Sequence, residues 1–152
     1  EIGSGLVGSE MCIRDRETLA RAILVHDALW ESGYLTGDMT QYELARAYYV
    51  WLCNNCVYDE GTVSSSSLSH LAYSALVDGV AVCDGYTGAY DLLLRLEGIE
   101  CTALMNTDHI WTVAELDGTT YHIDTTWGDQ GTRVDMSFFG MTEAQSRAKH
   151  AW

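Results

Sequence analysis

Cys83 stands in the stretch GVAVCDGYTGAYDLLLRLEG, residues 79–98, at the point where an apolar helical pattern begins. A core helix has no need of a thiol in its first turn. A nucleophile does, because the unpaired N–H groups and the dipole of a helix N-terminus favour an anion. That environment lowers a thiol's pKa and raises the thiolate fraction. A thiolate attacks carbonyl carbon far better than a thiol, and it needs a base or imidazolium beside it. The histidines are His26, His70, His109, His122 and His150. His109 opens an alternating segment directly after a Thr-Asp turn, where a side chain can overhang a cleft.

A third group should orient the His109 ring, and the sequence allows a register test. Asp117-Gly118 between two alternating segments is a two-residue hairpin signal. With that loop Leu116 pairs with Thr119, so His109 falls opposite Thr126 and Trp111 opposite Asp124. His109 and Asp124 then share a face as diagonal neighbours, with Cβ atoms about 7 Å apart or less. A three-residue loop would place them on opposite faces. Cys83 as nucleophile, His109 as base and acid, and Asp124 as the group that fixes the ring tautomer follow as candidate roles. The Cys83 backbone N–H is the natural first oxyanion donor.

These residues need elements to hold them. ETLARAILVHDALWESG, residues 17–33, carries Leu19, Ile23, Leu29 and Trp30 at helical spacing and ends at Gly33. TQYELARAYYVWLCNNCVYDE, residues 40–60, opens with a Thr40/Glu43 capping box and puts Leu44, Ala45, Tyr48, Trp51 and Leu52 on one face. Ser64 to Ser67 lie in a loop, and residues 70–79 suggest a short helix. A third helix runs from Cys83 to Leu96, with Tyr86 and Tyr90 in its core face and a stop at Gly98. Three short β-rich segments follow, at 100–107, 109–116 and 119–126, and residues 141–152 suggest a last short helix. Helices followed by antiparallel strands read as α+β, with the nucleophile helix packed against an antiparallel sheet.

The chain has 152 residues, 47% of them apolar, which suits one domain. Its net charge of −14 argues against nucleic acid and anionic membrane surfaces. No apolar run approaches the ~20 residues of a membrane-spanning helix. Five cysteines, an odd number, do not suggest a closed disulfide framework. Residues 1–16, EIGSGLVGSEMCIRDR, show no helical or strand period and resemble a translated sequencing adapter. They are set aside with Cys12, leaving a domain over 17–152 that is expected to be truncated at both ends.

GVAVCDGYTGAYDLLLRLEGIECTALM followed by DHIWTVAELDGTTYHIDTTWGD resembles the transglutaminase-like superfamily of papain-fold cysteine enzymes. Its pattern is a nucleophile segment, a His-x-Trp segment and an Asp-x-Thr-Trp segment, in that order, with 26 residues from Cys83 to His109. WLCNNCVYDE and FFGMTEAQSRAKH are similar to the flanking segments of bacterial members. The resemblance implies a papain-like core, a Cys83-His109-Asp124 triad, and acyl chemistry through a thioester on a protein or peptide substrate. Peptidase or amidase activity ranks ahead of cross-linking, because water is the default acceptor. No cofactor and no metal are implied. Ala81 departs from the family's usual Gly, and Ile110 and Thr112 depart from its common HAWN. Ile110 lies on the other face, and Thr112 bears on a strand contact.

Other readings stand beside this one. The main rival is a catalytically silent binding or structural module of a larger protein. Cys53 and Cys56 form a C-x-x-C, a zinc or redox pattern, yet no second pair exists and Cys53 lies late in an apolar helix, so packing is favoured. Cys101 reads as core. Trp111 and Trp127 flank the site and are candidates to line a substrate cleft. His122 reads as a solvated strand residue, His26 and His70 as structural or exposed, and His150 supports no role.

Overall fold

The computed structural model describes residues 2–61 and 67–152, with side chains described for 12–61 and 68–152. Of the expected serine loop at Ser64 to Ser67, residues 64–66 lie outside the described residues, and Ser67 begins a 3-10 turn. Helix α1 spans Ile2–Glu31 and α2 spans Gln41–Asn55. Strand β1 (Val57–Tyr58), a 3-10 turn (Ser67–His70), a π turn (Ser74–Asp78) and β2 (Val80–Ala81) lead into α3, Cys83–Leu96. Strands β3 (Cys101–Met105), β4 (Ile110–Leu116) and β5 (Thr119–Ile123) form one antiparallel sheet in that order. The short α4 (Thr125–Gly128), a 3-10 turn (Met136–Phe138) and α5 (Glu143–His150) complete the chain. Among the described residues no helix is long and apolar enough to cross a membrane.

Residues 2–16 continue α1, although their sequence carries no period. Extending a helix that already exists avoids the nucleation penalty, so a weak segment can follow a strong one. The phase of α1 also differs from expectation. Ala22 and Val25 are buried, while Leu19, Ile23 and Leu24 are exposed. Leu29 and Trp30 of the expected face do pack against the core.

Helix α2 starts at the expected capping box: Thr40 accepts from the Glu43 N–H, and Glu43 accepts from the Thr40 N–H. Its first turn has a second anchor. The Asp117 carboxylate accepts from the N–H groups of Gln41 and Tyr42, and Gln41 accepts from the Asp117 N–H. The hairpin tip is thus fixed to the positive end of α2. Of the expected face, Ala45, Tyr48 and Leu52 are buried, joined by Tyr49 and Cys53, with Trp51 only partly covered.

The hairpin has the expected two-residue loop. Asp117 and Gly118 both have positive φ, 52° and 81°, as a type I′ turn requires. Leu116 pairs with Thr119 and Thr112 with Ile123. Helix α3 packs on the sheet face carrying Thr112, and the Thr112 hydroxyl donates to the buried Asp91 carboxylate of α3. Buried tyrosines tie the layers together through their hydroxyls: Tyr48 donates to Glu97, Tyr90 to the Ala45 carbonyl and Tyr86 to Asp129. Gly128 faces Tyr49 so closely that a Cβ there would overlap the phenol.

One pairing has no local signal in the sequence. β1 pairs with β2 in parallel, Val57 with Val80 and Tyr58 with Ala81. Val57 and Tyr58, just past the end of α2, thus lie beside the strand that delivers Cys83.

Candidate active site

Cys83 is the first residue of α3. Its N-cap is Val82, whose side chain offers no acceptor, so the first-turn N–H groups face whatever anion lies at the helix mouth. Gly85 allows the turn to sit tightly on Ala81, Ser69 and Leu71, where a Cβ would clash. The thiol is half-buried. Its Sγ lies 3.6 Å from Asp84 Oδ1, as donor to the carboxylate. Asp84 Oδ2 in turn lies 2.8 Å from Nδ1 of the exposed His70.

His109 is set by an Asn106 turn. The Asn106 side-chain carbonyl accepts from the N–H groups of Asp108 and His109, and the Asn106 N–H donates to the His109 carbonyl. The His109 ring donates from Nε2 to Asp124 Oδ2 at 2.8 Å. That bond fixes the tautomer and leaves Nδ1 as the ring's acceptor, with Cys83 near enough to act on the ring. Burial works against a charged ring, but the Asp124 hydrogen bond and the interaction with Cys83, with their charges, outweigh it and push His109 up to about 9. Asp124 follows the same balance in the opposite sense. Burial raises its pKa, but the bonds from His109, His150 and the Trp127 N–H prevail and hold it below the usual carboxylate range.

Asp124 is also the N-cap of α4, accepting from the Trp127 N–H at 3.0 Å. This cap explains the Asp-Thr-Thr-Trp spacing. It brings the Trp127 ring over His109, with centroids 4.5 Å apart and planes at 12°. Trp127 borders a groove of about 550 Å³ that also touches His109, Thr126, Tyr58, Glu60 and Asp129. Among the described residues, the buried Thr126 hydroxyl in that wall has no hydrogen-bond partner. Trp111 does not line the groove. It is fully buried, donates from Nε1 to His122 Nδ1, and stacks on His150. Its hairpin position turns it under the site, where α5 covers it.

The structure brings together Cys83, His109, Asp124 and Trp127, and adds His150. From α5, His150 donates from Nε2 to the same Asp124 oxygen at 2.8 Å. His122 is also not a solvated residue. It is buried, burial lowers its pKa, and it accepts from Trp111. Both corrections have one cause. Met141 bridges His122 at the β5 edge, and a Thr142/Gln145 capping box then starts α5 back across the sheet. The sequence signal for His150 was thin: Ser146 and His150, four apart, are the buried pair of an otherwise polar helix.

Cys53 and Cys56 are buried, and burial pushes both thiols up, Cys56 to about 11. The Cys53 thiol contacts the Thr125 carbonyl. Among the described residues no third metal ligand joins them. His109, Asp124 and His150 are the set with converging ligand atoms. An ion there would have to displace both N–H···O bonds, so hydrogen bonding already accounts for the cluster.

A family model described as the transglutaminase-like superfamily matches residues 30–152. The chain belongs to the transglutaminase-like superfamily. Among curated proteins it is similar to kyphoscoliosis peptidase of Homo sapiens, 25% identical over 122 residues, covering 69% of this chain and 18% of that protein. The Mus musculus kyphoscoliosis peptidase is 25% identical over 103 residues, covering 57% of this chain and 16% of that protein. The chain thus spans less than a fifth of these relatives' length. A solved transglutaminase structure superposes with a TM-score of 0.57 at 15% identity, over 93% of this chain and 37% of that one. The superfamily's fold is therefore shared, with α3 packed on the antiparallel sheet.

Proposed function

We propose that this domain performs cysteine-dependent acyl chemistry on amide bonds of a protein or peptide, with hydrolysis ahead of transfer to an amine. Cys83 attacks the carbonyl, and the His109 imidazolium gives its proton to the leaving amine. A thioester on Cys83 is then released by water, from which His109 takes a proton. Asp124 holds the ring and stabilises its charged form. The α3 N–H groups supply the oxyanion site. The observation that carries this reading is the His109–Asp124 hydrogen bond, with Cys83 at a helix N-terminus acting on the same ring.

Iodoacetamide labelling at pH 6, resolved by cysteine, tests it. Cys83 is expected to label much faster than Cys53, Cys56 and Cys101, and His109→Ala is expected to slow it. Slow, uniform labelling would favour a silent binding module. One contact supports that rival: Sγ donates to the Asp84 carboxylate and not to the His109 ring.

A further inference from the structure

Asp124 Oδ2 accepts two histidine N–H bonds of equal length. His109 and His150 each reach it at 2.8 Å. The Asp124 and His150 side chains have no exposed surface, so no water shares that oxygen's load. The His150 ring is also fixed in orientation. It stacks on Trp111 at 3.9 Å with planes at 2°, and on Trp127 at 4.7 Å. Its Nδ1 lies against the Ser146 hydroxyl and carbonyl, at 3.1 and 3.0 Å. Asn106, which holds the His109 backbone, also donates from Nδ2 to the His150 carbonyl at 2.9 Å. The end of α5 is therefore fastened to both members of the pair.

We propose that His150 is a positioning residue: its ring N–H shares the Asp124 carboxylate oxygen with His109 and thereby sets how strongly that carboxylate holds the His109 proton. The inference rests on the reading of Cys83 and His109 as nucleophile and base. A carboxylate oxygen that serves two donors gives each less of its charge. Removing the second donor returns that charge to His109 and stabilises its imidazolium. The sign is the same whether His150 is neutral or protonated, since a nearby positive ring also opposes charge on His109. The carboxylate stays oriented without His150, because Oδ1 is held by the Trp127 N–H. Other titratable groups face this set. Tyr49 and Cys53 of α2 are kept protonated by burial, burial lowers the pKa of His122 of β5, Cys83 of α3 acts on the His109 ring, and Tyr58, Glu60 and Asp129 share the groove with His109.

The test follows the ring nitrogens by proton–nitrogen NMR against pH in the full chain, in wild type, His150→Leu and His150→Gln. Leucine fills similar space without a donor, whereas glutamine restores an N–H. The wild-type His109 midpoint is expected near 9. It should rise by about half to one pH unit in His150→Leu and return toward wild type in His150→Gln. A wild-type midpoint in the ordinary range near 6.5 would instead overturn the nucleophile–base reading itself. A raised wild-type midpoint that neither variant moves, or that both move alike, would overturn the role given to His150. If His150→Leu does not fold, wild type alone decides. The His150 Nε2 resonance must then shift as His109 titrates, and a resonance indifferent to that titration would refute the sharing.

Discussion

Replacing Asp124 by asparagine removes the charge that faces His109 while keeping the side chain's shape. In the wild type, Asp124 and Cys83 together lift the ring from 6.5 to about 9 against the cost of burial. Without the carboxylate charge, burial remains and the midpoint falls toward 6.5. The difference is worth about 3 kcal/mol at most, or up to about 300-fold in the balance between thiolate–imidazolium and neutral pairs. Cys83 supplies part of the lift, so the full factor is an upper bound. A loss of half that free energy still exceeds tenfold. The assay is the second-order rate of Cys83 alkylation by iodoacetamide at pH 6.5, measured by mass spectrometry, with circular dichroism confirming the fold. Asparagine caps a helix about as well as aspartate, so the Trp127 N–H keeps an acceptor, and melting temperature is measured alongside as a control. A folded Asp124→Asn protein that alkylates at the wild-type rate would refute the reasoning.

Other consequences follow from particular contacts. Asp91 is pushed up to about 6, chiefly by burial, above its unfolded value. Its share of stability is therefore complete below about pH 4 and lost as pH rises through 6; Asp91→Asn should raise the melting temperature at pH 7.5 but not at pH 4, by up to about 3 kcal/mol in stability. For Gly128→Ala, the new methyl meets Tyr49, so urea denaturation should show a loss of about 1–3 kcal/mol. The same substitution made in Tyr49→Phe should cost less, because the overlapping hydroxyl is gone. At the hairpin tip, Asp117→Ala removes the acceptor for two α2 N–H groups and should lower stability by about 1 kcal/mol in the same assay. Cys53 and Cys56 should resist alkylation at pH 8 until denaturant is added.

What could be read from the sequence was whatever had a local period or a fixed offset. The Cys83–Leu96 helix, its stop at Gly98 and the hairpin register all follow from spacing. A two-residue loop fixes parity, and parity alone put His109 and Asp124 on one face. What escaped needed contacts between distant segments. The β1–β2 pairing joins strands of two residues each, too short for any alternation to show. The inward phase of α1, with Ala22 buried and Ile23 exposed, is fixed only by packing against the rest of the core. Trp111, His122 and His150 were misplaced or passed over together, because one element, α5, covers that sheet face. Without α5, Trp111 is an exposed aromatic and His122 a solvated histidine. With it, both are buried and the Asp124 oxygen gains a second donor.

The most direct test of the central claim is intact-mass analysis after brief exposure to a small activated ester such as p-nitrophenyl acetate, with an acid quench. The account predicts a single acyl adduct on Cys83 that disappears on further incubation and is absent in Cys83→Ala. Acylation spread over other nucleophiles, or a Cys83 that stays unmodified while exposed Cys12 reacts, would contradict it.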